Sequence, residues 1–237
     1  MLPLGIVGRK KYRPYVTFGL IIVNILVFIW ELSVNAQGPT ALQTLFAGIA
    51  FDVCKVGTVA LPEMTLDAFR SMFLHGSLGH LIGNMLFLWV FGRQVEAYFG
   101  RGLYLAFYIG AGFVATLGHA FLGGIVCDVN DSSVLIGASG AIAGVMGSFL
   151  FLYPSARVDT IIGFFAPLIW RARIPALFYL AYWFLMDFLQ GVGWIYSAGI
   201  AHWAHIGGFV AGFAIAFVAT MLYKPAPKPD PFEYLDD

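Results

Sequence analysis

The chain has 237 residues, 60% of them apolar and only 11% charged, with 13 basic side chains balanced by 13 acidic ones. A soluble domain carries about 25% charged residues, so this composition excludes an ordinary water-soluble globule and points to a chain solvated mainly by lipid. A net charge of zero provides no overall attraction to a nucleic acid, and no nucleic-acid partner is expected.

Arg9, Lys10, Lys11 and Arg13 precede the first apolar run, Tyr15 to Trp30. No small-x-small cleavage site follows it, so the run reads as a retained first helix, Tyr15–Leu32, and not as a signal peptide. Further membrane helices are predicted at Ser77–Tyr98, Gly102–Gly123, Ser139–Tyr153, Ile174–Leu189 and Gly199–Leu222. The expected fold is therefore all-α: a polytopic membrane protein whose six transmembrane helices form one bundle over residues 15–223. Residues 1–14 form an N-terminal segment, and the proline-rich, acidic stretch 224–237 a disordered tail. The fourth and fifth helices are short for a span of roughly 20 residues, which is tolerable where an end is buried in protein or faces water.

The connections differ in length. Ser33 to Leu74 is long enough to hold structure of its own, and its apolar pieces Leu42–Phe46 and Val59–Leu61 suit the outer interface. Arg157 to Arg173 contains Ile161–Phe165 and Leu168–Trp170, expected to rest on the inner interface. Eleven basic residues fall at the N-terminus, in the second and fourth connections and after the last helix; only Lys55 and Arg70 fall in the first connection. This bias places both termini in the cytoplasm, with a bacterial inner membrane as the expected location. Cys54 and Cys127 are too few for a disulfide scaffold and lack metal-ligand spacing. The charge rule puts both on the outer side, where they could link the first and third connections; sequence does not give their separation.

With this topology the second, fourth and sixth helices all begin at the outer face. Their first turns carry His80 and Asn84 (with His75 just before), then Ser139, then His202 and His205. Polar groups at bilayer depth are costly and tend to be functional. Ser139 lies between Gly137 and Gly140, and its position at a helix start offers free N–H groups to a developing oxyanion. A serine hydroxyl needs a base within hydrogen-bond reach to act as a nucleophile. The competing reading is a small-residue helix contact, which Gly144 and Gly147 extend. His205 shares a helix face with Gly208 and Gly212, so another helix can approach it closely; it is either the base for Ser139 or a satisfied interior histidine. His202, one turn earlier, is read as accessory or solvent-facing. His80 and Asn84 share a face at i, i+4 and can donate toward negative charge, or can simply bridge helices. His75 reads as holding the loop, and His119 as structural. No carboxylate is placed by the sequence to orient His205; Asp187, an acid near the outer end of the fifth helix, could pair with a histidine or reach the surface, and the surface is the expectation.

Taken in order, His75-x4-His80-x3-Asn84, Phe87–Gly92 with Glu96-x3-Gly100, Gly137-Ala-Ser-Gly140 and Ala204-His205-Ile-Gly-Gly208-x3-Gly212 resemble the rhomboid intramembrane serine proteases. The resemblance runs from about Phe69 to Gly212. It implies a six-helix rhomboid fold, a catalytic dyad of Ser139 and His205, and an oxyanion hole from His80, Asn84 and the Ser139 N–H. It also implies single-span membrane proteins as substrates, cut in or near their transmembrane segment within the lipid bilayer. No cofactor or metal is expected, and no His-Glu-x-x-His is present. There are departures. Phe69-Arg70 stands where the family commonly has Trp-Arg, and Asp187 where glutamine is common. Ala143 occupies a position that in some members is an aromatic packed on the catalytic histidine, so His205 must be held another way. The remaining alternative is a catalytically inactive rhomboid-like protein that binds membrane clients without cutting them.

Overall fold

A computed structural model describes residues 1–7, 12–123, 127, 134–163, 170–195 and 200–222. The basic run at 9–11, Gly199 and the whole tail lie outside the described residues. In chain order the elements are β1 (Leu2–Ile6), α1 (Tyr15–Asn35), α2 (Ala41–Ile49), β2 (Phe51–Asp52), α3 (Leu61–Ser71) and α4 (Leu78–Phe87). A π-helical turn, Leu88–Gly92, carries α4 straight into α5 (Arg93–Phe99). Then follow α6 (Arg101–Leu122), β3 (Val134–Leu135), α7 (Ser139–Leu152), β4 (Arg157–Ile162), β5 (Trp170–Pro175), α8 (Ala176–Gly191) and α9 (His202–Leu222). The protein is thus mostly helical. Among the described residues, α1, α6 and α9 are long and apolar enough to cross a membrane, and α7 is a shorter apolar helix.

Ser139–Leu152 has almost no polar face, and every residue from Gly140 to Phe149 is buried. It sits at the centre, against α9 and α6. Glycine makes this approach possible. A methyl group on Gly208 would overlap the Gly140 carbonyl oxygen, one on Gly212 the Gly144 carbonyl, and one on Gly147 the Phe209 carbonyl. Gly140 itself faces the Ala115 methyl of α6, 2.6 Å from where its own Cβ would stand. Backbones therefore touch backbones along the α7–α9 seam, which fixes the distance between the first turns of the two helices. Farther along α7, Phe149 packs edge-on against Phe91 of the π turn, ring centroids 5.1 Å apart.

Glu96 on α5 supplies a cap that the start of α1 lacks. Pro14 has no side chain able to accept a hydrogen bond, and the first N–H groups of α1 have no partner within their own helix. The Glu96 carboxylate accepts from the Val16 N–H (3.1 Å), the Thr17 N–H (2.8 Å) and the Thr17 hydroxyl (2.7 Å), and from the Tyr12 hydroxyl (3.3 Å). Negative charge at a helix N-terminus is also favoured by the helix dipole.

The expectation of an all-α chain is corrected by two small sheets. Strands β1, β4 and β5 form one antiparallel sheet in that order, and β2 pairs with β3 in a second. Arg157–Ile162 alternates, with Val158 and Thr160 buried and Arg157 and Asp159 facing out, a period-2 pattern rich in β-branched residues. It pairs antiparallel with β5; most of the apolar pieces expected at the inner interface, residues 164–169, lie outside the described residues. Asp159 accepts two hydrogen bonds from Arg171 across this pair, and the guanidinium holds the Asp159 carboxyl below the usual range. The strand also displaces the start of the fifth long helix from Ile174 to Ala176, after Pro175. Residues 1–14 contribute the edge strand β1, which packs against the π turn and α4. The long first connection carries α2 and α3, as its length suggested, and is tied down by a disulfide between Cys54 and Cys127. The pairing links the first connection to the third.

Candidate active site

Three helix starts meet. Gly137 precedes α7 with φ of +118°, a left-handed conformation that glycine adopts without steric cost. Its N–H donates to the Ser71 carbonyl at 2.8 Å, which anchors the turn to α3. Ser139 then opens α7. From α9, His205 brings its Nε2 to 2.8 Å from the Ser139 Oγ. This is the nucleophile-to-base distance that serine activation needs.

Beside the pair lies a cavity of about 510 Å³ lined by Ser77, His80, Asn84, Ile136, Ser139 and His205, among others. Ser77 caps α4, its hydroxyl accepting from the His80 N–H at 3.2 Å, which sets the first turn from which His80 and Asn84 project. A Cβ on Gly137 would stand 2.7 Å from the His80 ring and 3.6 Å from the Asn84 Nδ2. Both donors are thus held against the serine turn.

His75 does more than hold the loop. It is fully buried, and its N–H donates to the Glu31 carboxylate of α1 at 2.9 Å. The ring Nδ1 lies 3.2 Å from the Phe73 carbonyl, which can only accept, so Nδ1 carries the proton. Nε2 is left with its lone pair, and Asn84 Nδ2 donates to it at 2.9 Å. His75 therefore orients the Asn84 amide, leaving the second Nδ2 hydrogen of that group for another acceptor.

The surface reading of Asp187 is corrected, and of the two readings for His202, accessory or solvent-facing, burial excludes the second. Asp187 is 9% exposed and His202 6%. The Asp187 Oδ1 accepts from both imidazoles, at 2.8 Å from His202 Nδ1 and 3.2 Å from His205 Nδ1. The expectation that no carboxylate reaches His205 fails for the same reason: α8 turns Asp187 inward against the face of α9 that carries both histidines. Trp183, one turn earlier on α8, places its ring 5.8 Å from that of His205. It fills the role for which Ala143 is too small. Asp187 had a signal in the sequence, as an acid standing where the family commonly has glutamine; Trp183 had none beyond its position on the fifth helix.

The other sequence candidates divide as follows. Gly208 and Gly212 hold α9 against α7, and Gly140 packs on Ala115 as well as flanking Ser139. His119 on α6 is half-buried with its Nδ1 unpartnered among the described residues. Asp187, His202 and His205 put three potential ligand atoms within 4.8 Å of one another, and the two hydrogen bonds to Oδ1 already account for that cluster.

A family model for the Rhomboid domain matches residues 62–222. The Rhomboid protease GluP of Bacillus subtilis is 29% identical over 213 residues, which cover 90% of this chain and 36% of that protein. The Rhomboid protease GlpG of Klebsiella pneumoniae is 29% identical over 218 residues, 90% of this chain and 66% of that protein. Rhomboid protein 1, mitochondrial, of Saccharomyces cerevisiae is 30% identical over 156 residues, 62% of this chain and 40% of that protein. The chain thus spans between 36% and 66% of the length of these three relatives. Ser139, His205, His80 and Asn84, which the fold gathers around one cavity, all lie inside the segment that the family model matches: this is an integral membrane protein, and it belongs to the rhomboid family.

Proposed function

We propose that the protein is an intramembrane serine endopeptidase. It cuts single-span membrane proteins in or near their transmembrane segment, close to the outer face of the bilayer. The bundle crosses the membrane six times, with α4, its π turn and α5 forming the second span and α7 and α8 the fourth and fifth. Both termini lie in the cytoplasm of a bacterial cell, and the membrane is its inner membrane. The observation that carries the reading is the 2.8 Å approach of His205 Nε2 to Ser139 Oγ beside a cavity with two spare donors.

The chemistry is acyl transfer. His205 takes the Ser139 proton as Oγ bonds to the scissile carbonyl carbon. The resulting oxyanion accepts from His80, Asn84 and the Ser139 N–H. Removing one such donor in a serine protease costs about 10²–10³ in kcat. As the C–N bond breaks, His205 protonates the departing amine. Water entering the cavity then attacks the acyl-serine ester, giving its proton to His205 and returning the hydroxyl to Ser139. The peptide must be unwound first, because a helix hides its carbonyls in backbone hydrogen bonds.

A fluorophosphonate probe on the purified protein tests the class. Labelling is expected in the wild type and should be lost in Ser139→Ala and His205→Ala. Labelling that survives Ser139→Ala overturns the assignment. A protein that is fully folded, unlabelled and inactive on every membrane substrate would instead be the client-binding relative.

A further inference from the structure

Resting on that reading, we infer that Asp187 is a positioning residue for His205, so that the chain works with a carboxylate-oriented base and not with a bare serine–histidine pair. The argument is one of proton counting. An ionised carboxylate has lone pairs and no hydrogen to give. A hydrogen bond between His205 Nδ1 and Asp187 Oδ1, at 3.2 Å, therefore requires the proton on Nδ1. A neutral imidazole with hydrogen on Nδ1 has its lone pair on Nε2, and Nε2 is the atom 2.8 Å from Ser139 Oγ. The carboxylate thus selects the one neutral tautomer that can take the serine proton. It also faces the positive charge that His205 gains once it has taken that proton.

His202 belongs to the same arrangement. Its Nδ1 is 2.8 Å from the same Oδ1, so by the same reasoning it donates. Two donors on one oxygen fix the rotation of the carboxyl group. His202 Nε2 and Asp187 Oδ2 find no hydrogen-bond partner among the described residues, where the contacts of the carboxylate fall on Oδ1. Trp183, with its ring 5.8 Å from that of His205, limits rotation of the imidazole from the same helix. An aspartate among the apolar residues of α8 is costly, and these contacts give it a use.

The test is Asp187→Asn, Asp187→Glu and His202→Ala, with Ser139→Ala and His205→Ala alongside, on the full chain in detergent or vesicles. Asparagine keeps the size but can present its NH₂ to Nδ1, which favours the tautomer with hydrogen on Nε2 and removes the base. Turnover should fall on the order of 10²-fold or more in Asp187→Asn, with KM for a membrane substrate changing far less, because the Asp187 Oδ1 is engaged by the two imidazoles. Asp187→Glu should recover part of the loss. His202→Ala should lose less than Asp187→Asn, since one donor to the carboxylate remains. Turnover of Asp187→Asn within threefold of wild type, while Ser139→Ala and His205→Ala are dead, overturns the inference and leaves the protease reading intact. Loss of thermal stability matching the loss of turnover in all three variants also overturns it, as a structural role only. Should Asp187→Asn fail to fold, nitrogen-15 spectra of histidine-labelled wild type decide. The Nδ1–H tautomer at His205 is expected, and the Nε2–H tautomer refutes the proposal. Labelling that persists in Ser139→Ala would sink the underlying enzyme assignment, a distinct result.

Discussion

At the scale of single residues, Gly137 bears more constraint than any neighbour of the serine. Its φ of +118° strains any L side chain, and a methyl group there would stand 2.7 Å from the His80 ring. Gly137→Ala should therefore push His80 and Asn84 away from the oxyanion position proposed for them. The expected result is a fall in turnover of roughly 10²-fold, the cost of losing one donor, while the probe still finds Ser139. Turnover close to wild type would show that His80 takes no part. Much of this site was legible in the sequence, because Ser139, His80, Asn84 and His205 each lie in the first turns of a helix and the charge rule puts those turns on one side. What was not legible depends on helix phase. Whether Asp187 faces water or α9 follows from how α8 is rotated about its own axis, and apolar residues on nearly every face of that helix leave the rotation unmarked. Similarly, the proton on His75 Nδ1 is set by the Phe73 carbonyl, a contact made by an irregular turn.

Among elements, the α7–α9 seam sets the precision of the site. It joins the two helices that carry Ser139 and His205, and it is built by backbone touching backbone at Gly144 and Gly212. A side chain at Gly212 has nowhere to go, so Gly212→Ala should cost roughly 1–3 kcal/mol as an overpacked contact and lower turnover by misplacing the base. Gly110 on α6 is the matching control. A Cβ there would meet nothing within 4 Å, so Gly110→Ala should leave activity alone and raise stability by roughly 0.5–1 kcal/mol through helix propensity. Thermal melts of both variants in one detergent check the pair. The disulfide acts on a different element. Cys54 and Cys127 are 73 residues apart in sequence, so breaking the bond frees a long loop and should cost roughly 2–4 kcal/mol. Cys54→Ser with Cys127→Ser should melt earlier while cleaving at the wild-type rate at low temperature, since neither cysteine lines the cavity around Ser139. The strands were less legible. Arg157–Ile162 carries a period-2 alternation, but it is only six residues long, and its edge partner Leu2–Ile6 lies more than 150 positions away.

For the whole molecule, the arrangement of α8 constrains how a membrane substrate could reach Ser139. A second cavity, of about 400 Å³, runs along α8 past Tyr182, Trp183 and Met186 and ends at His202 and His205. The two cavities share His205 and Ile200, so the imidazole stands between them. A substrate helix entering from the lipid beside α8 would arrive through the second cavity, whereas a small probe reaches the serine through the first. Yet α8 also carries Asp187 and Trp183, both set against His205. Swinging the whole helix outward would release the imidazole of His205, so entry should instead bend its outer end. Gly191 and Gly193, the latter with φ of +79°, provide the backbone freedom for that, in the manner of hinged lids. The two routes can be separated experimentally. With cysteines introduced on the outer turns of α4, around Ile82, and of α8, around Phe188, both exposed, and joined by a non-reducible maleimide linker, the native Cys54–Cys127 pair stays untouched because it is already oxidised. The crosslinked enzyme should lose cleavage of a membrane substrate by at least tenfold while keeping fluorophosphonate labelling of Ser139 at the uncrosslinked rate. Unchanged cleavage would mean that substrates do not pass between these helices, and lost labelling would mean that the linker had displaced His205 rather than closed a gate.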